Sequence, residues 1–176
     1  MNDLYASDFP ELVTDRLHLR QLQKNDDDSL FLLRTDKEVS RYLDRPKTQN
    51  IEDARMFIAK IQAGIIRKEW LYWAICQKNN PALIGTICLL NMAPHERSAE
   101  IGFELSPDFQ KQGFMSEALK QVIRYSFQTI GLTKLDAFTH PDNQAARTVL
   151  QNNDFIPDPT RHDPEFPHLL NYSHSG

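Results

Sequence analysis

Glu100-Ile101-Gly102-Phe103-Glu104-Leu105-Ser106-Pro107-Asp108-Phe109-Gln110-Lys111-Gln112-Gly113-Phe114-Met115-Ser116-Glu117-Ala118-Leu119 is the stretch whose reading decides the fold. It starts as an extended run and turns at Pro107. From there Met115, Leu119, Val122, Ile123, Phe127 and Ile130 fall at helical spacing, with Gly131 as the stop. A strand therefore feeds through a turn into a helix start. Amides of residues 110–116 are left without helical partners and converge, with the helix dipole, on one spot, and Gly113 lets a ligand approach the main chain. A phosphate or pyrophosphate suits that geometry. No Gly-Lys-Ser/Thr follows and Gly-x-Gly-x-x-Gly is absent, which speaks against ATP and NAD.

Upstream, residues 71–77 and 83–90 are strand-like and are separated by the turn-forming Lys78-Asn79-Asn80-Pro81, so an antiparallel hairpin is expected. Residues 99–105, after the polar stretch 94–98, extend it to a three-stranded meander. Residues 16–21 alternate apolar with polar and read as a half-buried strand. Asp26, Asp27 and Asp28 precede a short helix around Leu30 and Leu33 that breaks near Asp36. A second helix starts at Asn50, with Asp53 in the reciprocal capping position, and carries Ala54, Phe57, Ile58, Ile61 and Ile65 as one apolar stripe.

Downstream, residues 134–139 suggest a short strand, His140-Pro141-Asp142-Asn143 a turn, and Ala145, Ala146, Val149 and Leu150 an amphipathic helix. Four prolines between Pro157 and Pro167 predict an irregular loop, followed by a last strand over residues 168–172.

A chain of 176 residues without repeat or linker fits one domain, residues 1–176. Its 20 basic and 24 acidic side chains give a net charge of −4, so no broad positive field is available to hold a polyanion and general nucleic-acid binding is not expected. Met1 to Pro10 contain Asp3 and Asp8 and no apolar run; neither a secretory signal nor a membrane anchor is expected, and the expected location is cytoplasmic. Cys76 and Cys88 lie in apolar runs and read as small buried hydrophobes rather than redox or nucleophilic thiols. His162, His168 and His174 fit no compact metal motif, so no metal is expected.

Taken together, these segments resemble the GNAT acyltransferase superfamily, in its branch like the RimJ and RimL ribosomal-protein N-acetyltransferases. The residues that carry the resemblance run from Leu12 to Phe155: Thr14-Asp15-Arg16-Leu17-His18-Leu19-Arg20, Ile84-Gly85-Thr86-Ile87, Ala99-Glu100-Ile101-Gly102-Phe103, Gly113-Phe114-Met115-Ser116-Glu117-Ala118-Leu119, Asn143, Arg147-Thr148-Val149-Leu150 and Asn153-Asp154-Phe155. The resemblance implies an α/β domain whose mixed, mostly antiparallel central sheet is flanked by helices and splayed where acetyl-CoA lies. It implies that the backbone of Phe103, Glu104 and Leu105 pairs with the pantetheine arm. Gln110, Lys111, Gln112, Gly113, Phe114, Met115 and Ser116 would then hold the pyrophosphate. Lys111 stands where the family often has glycine and either adds a phosphate contact or points to water. Asn143 matches an asparagine that hydrogen-bonds the cofactor arm, and it equally suits a helix N-cap.

The implied reaction is acetyl transfer from acetyl-CoA, as donor co-substrate, to a primary amine at a protein N-terminus or on a small molecule, by direct attack. A base matters less for an α-amine, about 10% neutral at pH 7, than for a lysine amine, roughly 0.04% neutral. Glu100 is the first candidate base, directly or through water, and Glu104 the alternative; either carboxylate also reads as a structural strand residue. Ala146 replaces a serine that the family often carries three residues after its asparagine, so that serine's acid role does not transfer. The loop 157–167 also departs from the family's Gly-x-aromatic-x-Asp. These departures leave a second expectation, an acyl-CoA-binding sensor or interaction module with a decayed pocket. Tyr172 is a proton donor or a packing residue, and Trp70, Tyr72 and Trp73 are expected to pack the hairpin. A monomer or a homodimer would serve either role.

Overall fold

The computed structural model describes residues 9–93 and 95–176; the N-terminal stretch and Pro94 of the polar segment 94–98 lie outside or partly outside them. Its strands are β1 (Leu12–Val13), β2 (Leu17–Gln21), β3 (Leu71–Gln77), β4 (Asn80–Ala93), β5 (Ser98–Leu105), β6 (Lys134–Thr139), β7 (Ile156–Pro157) and β8 (Leu170–Ser175). They form one sheet in the order β1-β2-β3-β4-β5-β6-β8-β7. Every neighbouring pair is antiparallel except β5 and β6. The mixed, mostly antiparallel sheet flanked by helices is the one the family resemblance implies.

The helices are α1 (Asp27–Thr35), α2 (Lys37–Ser40), α3 (Ile51–Ile66), α4 (Phe114–Tyr125) and α5 (Gln144–Gln151). Asp36 explains the break between the first two: its side chain accepts from the amides of Glu38 and Val39 and so starts a new helix. Asn50 and Asp53 form the reciprocal cap on α3. α4 does not end at Tyr125 but widens into a π-helical turn over Ser126–Ile130, closed by Gly131 at φ 83°.

Two apolar layers hold the sheet. One face packs Leu30, Ala54, Ile58, Ile61 and Ile65 of α1 and α3 against Tyr72, Ala74 and Cys76. The other packs Met115, Ala118, Leu119 and Val122 of α4, with Leu150 and Phe155, against Trp73, Ile87, Ile101, Leu135 and Ala137. Trp70 does not join the hairpin: it folds onto the end of α3, where its ring N–H donates to the Ile61 carbonyl at 3.0 Å.

Two strands depart from the expected bounds: β4 takes in Asn80 and Pro81 of the expected turn and runs on to Ala93, and the last strand is shifted. It begins at Leu170 rather than 168 and continues to Ser175, and Pro157 belongs to β7 rather than to the loop. Asn171, Ser173 and His174 look like the end of a strand by composition. Yet Asn171 and Ser173 are buried, because their partners on β6 present Asp136 on the same face. Cross-strand hydrogen bonding replaces the apolar pattern that sequence reading relies on.

Gly64 offers a test of the packing. A Cβ at this position would stand 2.0 Å from Trp70 Cζ2, so Gly64→Ala is expected to destabilise the fold by about 1–3 kcal/mol despite the helix preference for alanine of about 1 kcal/mol. A lower urea midpoint checks this; a higher one would refute the Trp70 placement.

Candidate functional site

β5 and β6 pair in parallel only at Ser98↔Lys134, Ala99↔Leu135 and Glu100↔Asp136. β5 runs on to Leu105 and β6 to Thr139, so beyond Glu100 the facing edges separate and have no strand partner. Backbone N–H and C=O groups need partners. A V-shaped gap of this kind suits an extended molecule that carries amides of its own.

The turn at the open end of the gap is built to leave amides free. Gln110 is committed to the turn: its N–H donates to the Pro107 carbonyl and its side-chain amide to the Leu105 carbonyl at 3.0 Å. Lys111 takes φ 59°, a left-handed conformation that favours glycine, and its side chain is exposed. Gly113 caps α4 at φ 80°, and the first helical bond runs from Glu117 N–H to the Gly113 carbonyl. The amides of Phe114, Met115 and Ser116 therefore come before any helical partner. Gln112 and Gly113 complete the concave turn.

Residues from the chain's beginning brace this turn. The Arg16 guanidinium lies 4.3 Å above the Phe114 ring, donates to the Gln112 carbonyl at 3.0 Å and pairs with Glu117 at 2.6 Å. Thr14 donates its hydroxyl to the same carboxylate at 2.6 Å. Partial burial works against that carboxylate, but the bonds from Thr14 and Arg16 hold it below the usual range. The likeness of Thr14-Asp15-Arg16 and that of Gly113 to Glu117 are thus one structural feature. Asn143 caps α5, its side-chain carbonyl oxygen accepting from Ala146 N–H at 3.1 Å while its NH2 makes no hydrogen bond among the described residues.

Three carboxylates occupy the sheet face opposite α4, and their surroundings differ. Glu104 is buried and ion-paired with Arg45 at 2.7 Å and Arg34 at 3.9 Å. Asp136 is met by Arg161 at 2.8 Å, by Lys134 at 3.2 Å and by the Ser173 hydroxyl. Glu100, at the apex of the gap, has no ion-pair partner among the described residues and accepts one hydrogen bond, from Asn91 Nδ2 at 2.9 Å. Asn91 reaches it from a bulge, where β4 contains one residue more than β5 and Asn91 adopts φ 46°. Burial raises the Glu100 pKa, which the Asn91 bond partly offsets. Gly102 lies between Glu100 and Glu104 on this face, and its missing side chain leaves the surface open; a Cβ there would meet Cys88 Sγ at 3.3 Å.

Sequence reading missed the rim of this face. Tyr42 stacks on His140 at 5.3 Å, His140 meets His168 edge-on at 5.7 Å, and His168 pairs with Asp44 at 2.9 Å. These contacts join the segment after α2 to the proline-rich loop, which Arg161 fastens to Asp136. Only a signal linking residues 124 positions apart would have exposed the Asp44 contact. His174 instead packs between Phe127 and Phe155. Tyr172 is buried, and its hydroxyl accepts from Arg147 at 3.0 Å. Burial pushes the Cys76 thiol up to about 11 and the Cys88 thiol up to about 12, so both stay protonated and unreactive at neutral pH.

Residues 16–156 match the acetyltransferase (GNAT) domain family. The uncharacterized N-acetyltransferase YoaA of Bacillus subtilis (strain 168) is 36% identical over 142 residues, 81% of this chain and 80% of its own. A putative ribosomal-protein-serine acetyltransferase from Vibrio cholerae superposes with a TM-score of 0.85 at 18% identity, over 95% of this chain and 98% of that one. RimL, a ribosomal L7/L12 alpha-N-protein acetyltransferase solved with coenzyme A, superposes with a TM-score of 0.80 at 22% identity, over 94% and 98%. These two structural likenesses concern the fold.

The raised Glu100 pKa has a stability consequence. A carboxyl whose folded pKa lies above its unfolded one costs stability as pH rises from the unfolded value, about 4.3, through the folded one. Glu100→Gln, which mimics the neutral acid, is therefore expected to melt above the wild type at pH 7 and together with it below about pH 4. An equal melting temperature at pH 7 would show that Glu100 is not held in a desolvated place.

Proposed function

The chain belongs to the GNAT acetyltransferase family, and from that premise we propose that it transfers the acetyl group of acetyl-CoA to a primary amine, a protein N-terminus or a small amine, by direct attack. The observation that carries this reading is the unpaired gap between β5 and β6 opening onto the free amides of α4. In it, the amides of Gly113 to Ser116 bind the pyrophosphate with the positive end of the helix dipole. Lys111, exposed beside them, adds a cation to the phosphates. The pantetheine arm runs along the free edge of Phe103, Glu104 and Leu105, and the NH2 of Asn143 is available to it.

The acetyl thioester then lies near the apex, where backbone amides of the β5 edge polarise its carbonyl without reorganising. Glu100 takes the proton of the incoming ammonium, directly or through one water, before the amine attacks. A desolvated carboxylate with a raised pKa is the better base for this step. Glu104 is committed to Arg34 and Arg45, so its charge serves the fold rather than proton transfer. Collapse of the tetrahedral adduct breaks the C–S bond and releases the thiolate, and the surplus proton on the adduct nitrogen leaves to solvent to give the neutral amide. Ala146 cannot supply that thiolate's proton; solvent at the open end of the gap can. The unreactive thiols of Cys76 and Cys88 favour direct attack over an acetyl-cysteine intermediate.

Calorimetry with acetyl-CoA tests the site. Saturable binding to the wild type is expected, with binding lost in Gly113→Val, whose side chain would be strained at φ 80° and would fill the turn. Free thiol should then appear only when a peptide or small amine is added, and Glu100→Gln should lower kcat/KM about 10²-fold with acetyl-CoA affinity unchanged. No binding at millimolar cofactor would overturn the reading. Binding without turnover across a panel of amines would favour the acyl-CoA sensor instead.

A further inference from the structure

Asn153 follows α5 and is 2% exposed, yet it reaches the first turn of α4. Its Nδ2 donates twice, to the Val149 carbonyl at 2.7 Å and to the Ser116 hydroxyl oxygen at 3.1 Å. A carbonyl can only accept, so Val149 fixes which end of the carboxamide faces Ser116. Ser116 Oγ is thus an acceptor in this contact, and its own proton is left to donate elsewhere. The usual alternative for a helical serine is the carbonyl four residues back. Here that carbonyl belongs to Gln112 and already accepts from Arg16, and among the described residues Ser116 makes no hydrogen bond to it. Meanwhile Asn153 Oδ1 is buried without a hydrogen-bond partner among the described residues. A buried orphan acceptor is costly and calls for a compensating role.

We propose that Asn153 is a positioning residue for the cofactor: it orients the Ser116 hydroxyl so that its proton points into the α4 turn and donates to a pyrophosphate oxygen of acetyl-CoA. This rests on the cofactor reading above and deepens it. The amides of Phe114 to Ser116 supply donors that the backbone fixes. A serine hydroxyl is a free rotor, and Asn153 removes that freedom before the ligand arrives, which lowers the ordering cost of binding. The contact also ties the turn that follows α5 to the first turn of α4.

The test compares two donors, acetyl-CoA and S-acetylpantetheine, which lacks the pyrophosphate, on wild type, Asn153→Leu, Ser116→Ala and the double variant. Asn153→Leu is expected to raise the KM for acetyl-CoA about three- to tenfold and Ser116→Ala about tenfold, with kcat at saturation little changed. S-acetylpantetheine should show neither effect. The double variant should be no worse than Ser116→Ala, since both changes remove one interaction. A loss shared equally by both donors, or additive losses in the double variant, would overturn the proposal and leave Asn153 as a packing residue. If Asn153→Leu does not fold, Ser116→Ala decides alone: wild-type KM for acetyl-CoA overturns the proposal. Failure of the wild type to use acetyl-CoA would instead refute the cofactor reading itself.

Discussion

The early parting of β5 from β6 is the constraint on which the rest of the structure depends. A parallel pair normally continues for as long as both strands do, because each residue left out strands polar backbone groups. Here three register positions are made and the remainder forgone. Both strands stay ordered because each is secured on its other side. β5 is zipped to β4 as far as Gly85↔Leu105, and β6 to β8 along its whole length. The gap is therefore a rigid slot rather than a frayed edge, and an extended ligand can enter it without first ordering the protein.

Charge placement follows the same geometry. Of the three carboxylates on the face opposite α4, Glu104 and Asp136 are matched by arginine or lysine contributed from α1, from loops and, for Lys134, from β6 itself. Their burial is tolerable because it is paired. Glu100 stands at the apex with an amide for a neighbour in place of a cation, and the bulge in β4 exists where it aims that amide. Unpaired burial raises a carboxyl's proton affinity, and raised proton affinity is what proton abstraction from an amine requires. The stability lost there fits the proposed role of Glu100 as the base.

Much of this was legible in the sequence because it is local. Periodicity located α3 and α4, capping chemistry located Asn50 and Asp53, and Gly113 marked the turn through its backbone freedom. The last strand was legible only in part, since Asn171 and Ser173 are buried by pairing with Asp136 rather than by apolar character. The fate of Glu104 was not legible at all: its partners Arg34 and Arg45 lie on other elements, and only the folded chain shows which of two strand carboxylates is neutralised. The same holds for Asn153, which by sequence is a helix-end asparagine and in three dimensions touches Ser116. Long-range polar contacts leave no periodic trace.

The most direct measurement of the central claim is a crystal structure of the protein with coenzyme A. The pantetheine arm is expected between β5 and β6, bonded to the edge of residues 103–105, and the pyrophosphate within about 3 Å of the amides of residues 113–116. Coenzyme A bound elsewhere, or β5 and β6 zipped together with the cofactor outside, would contradict it.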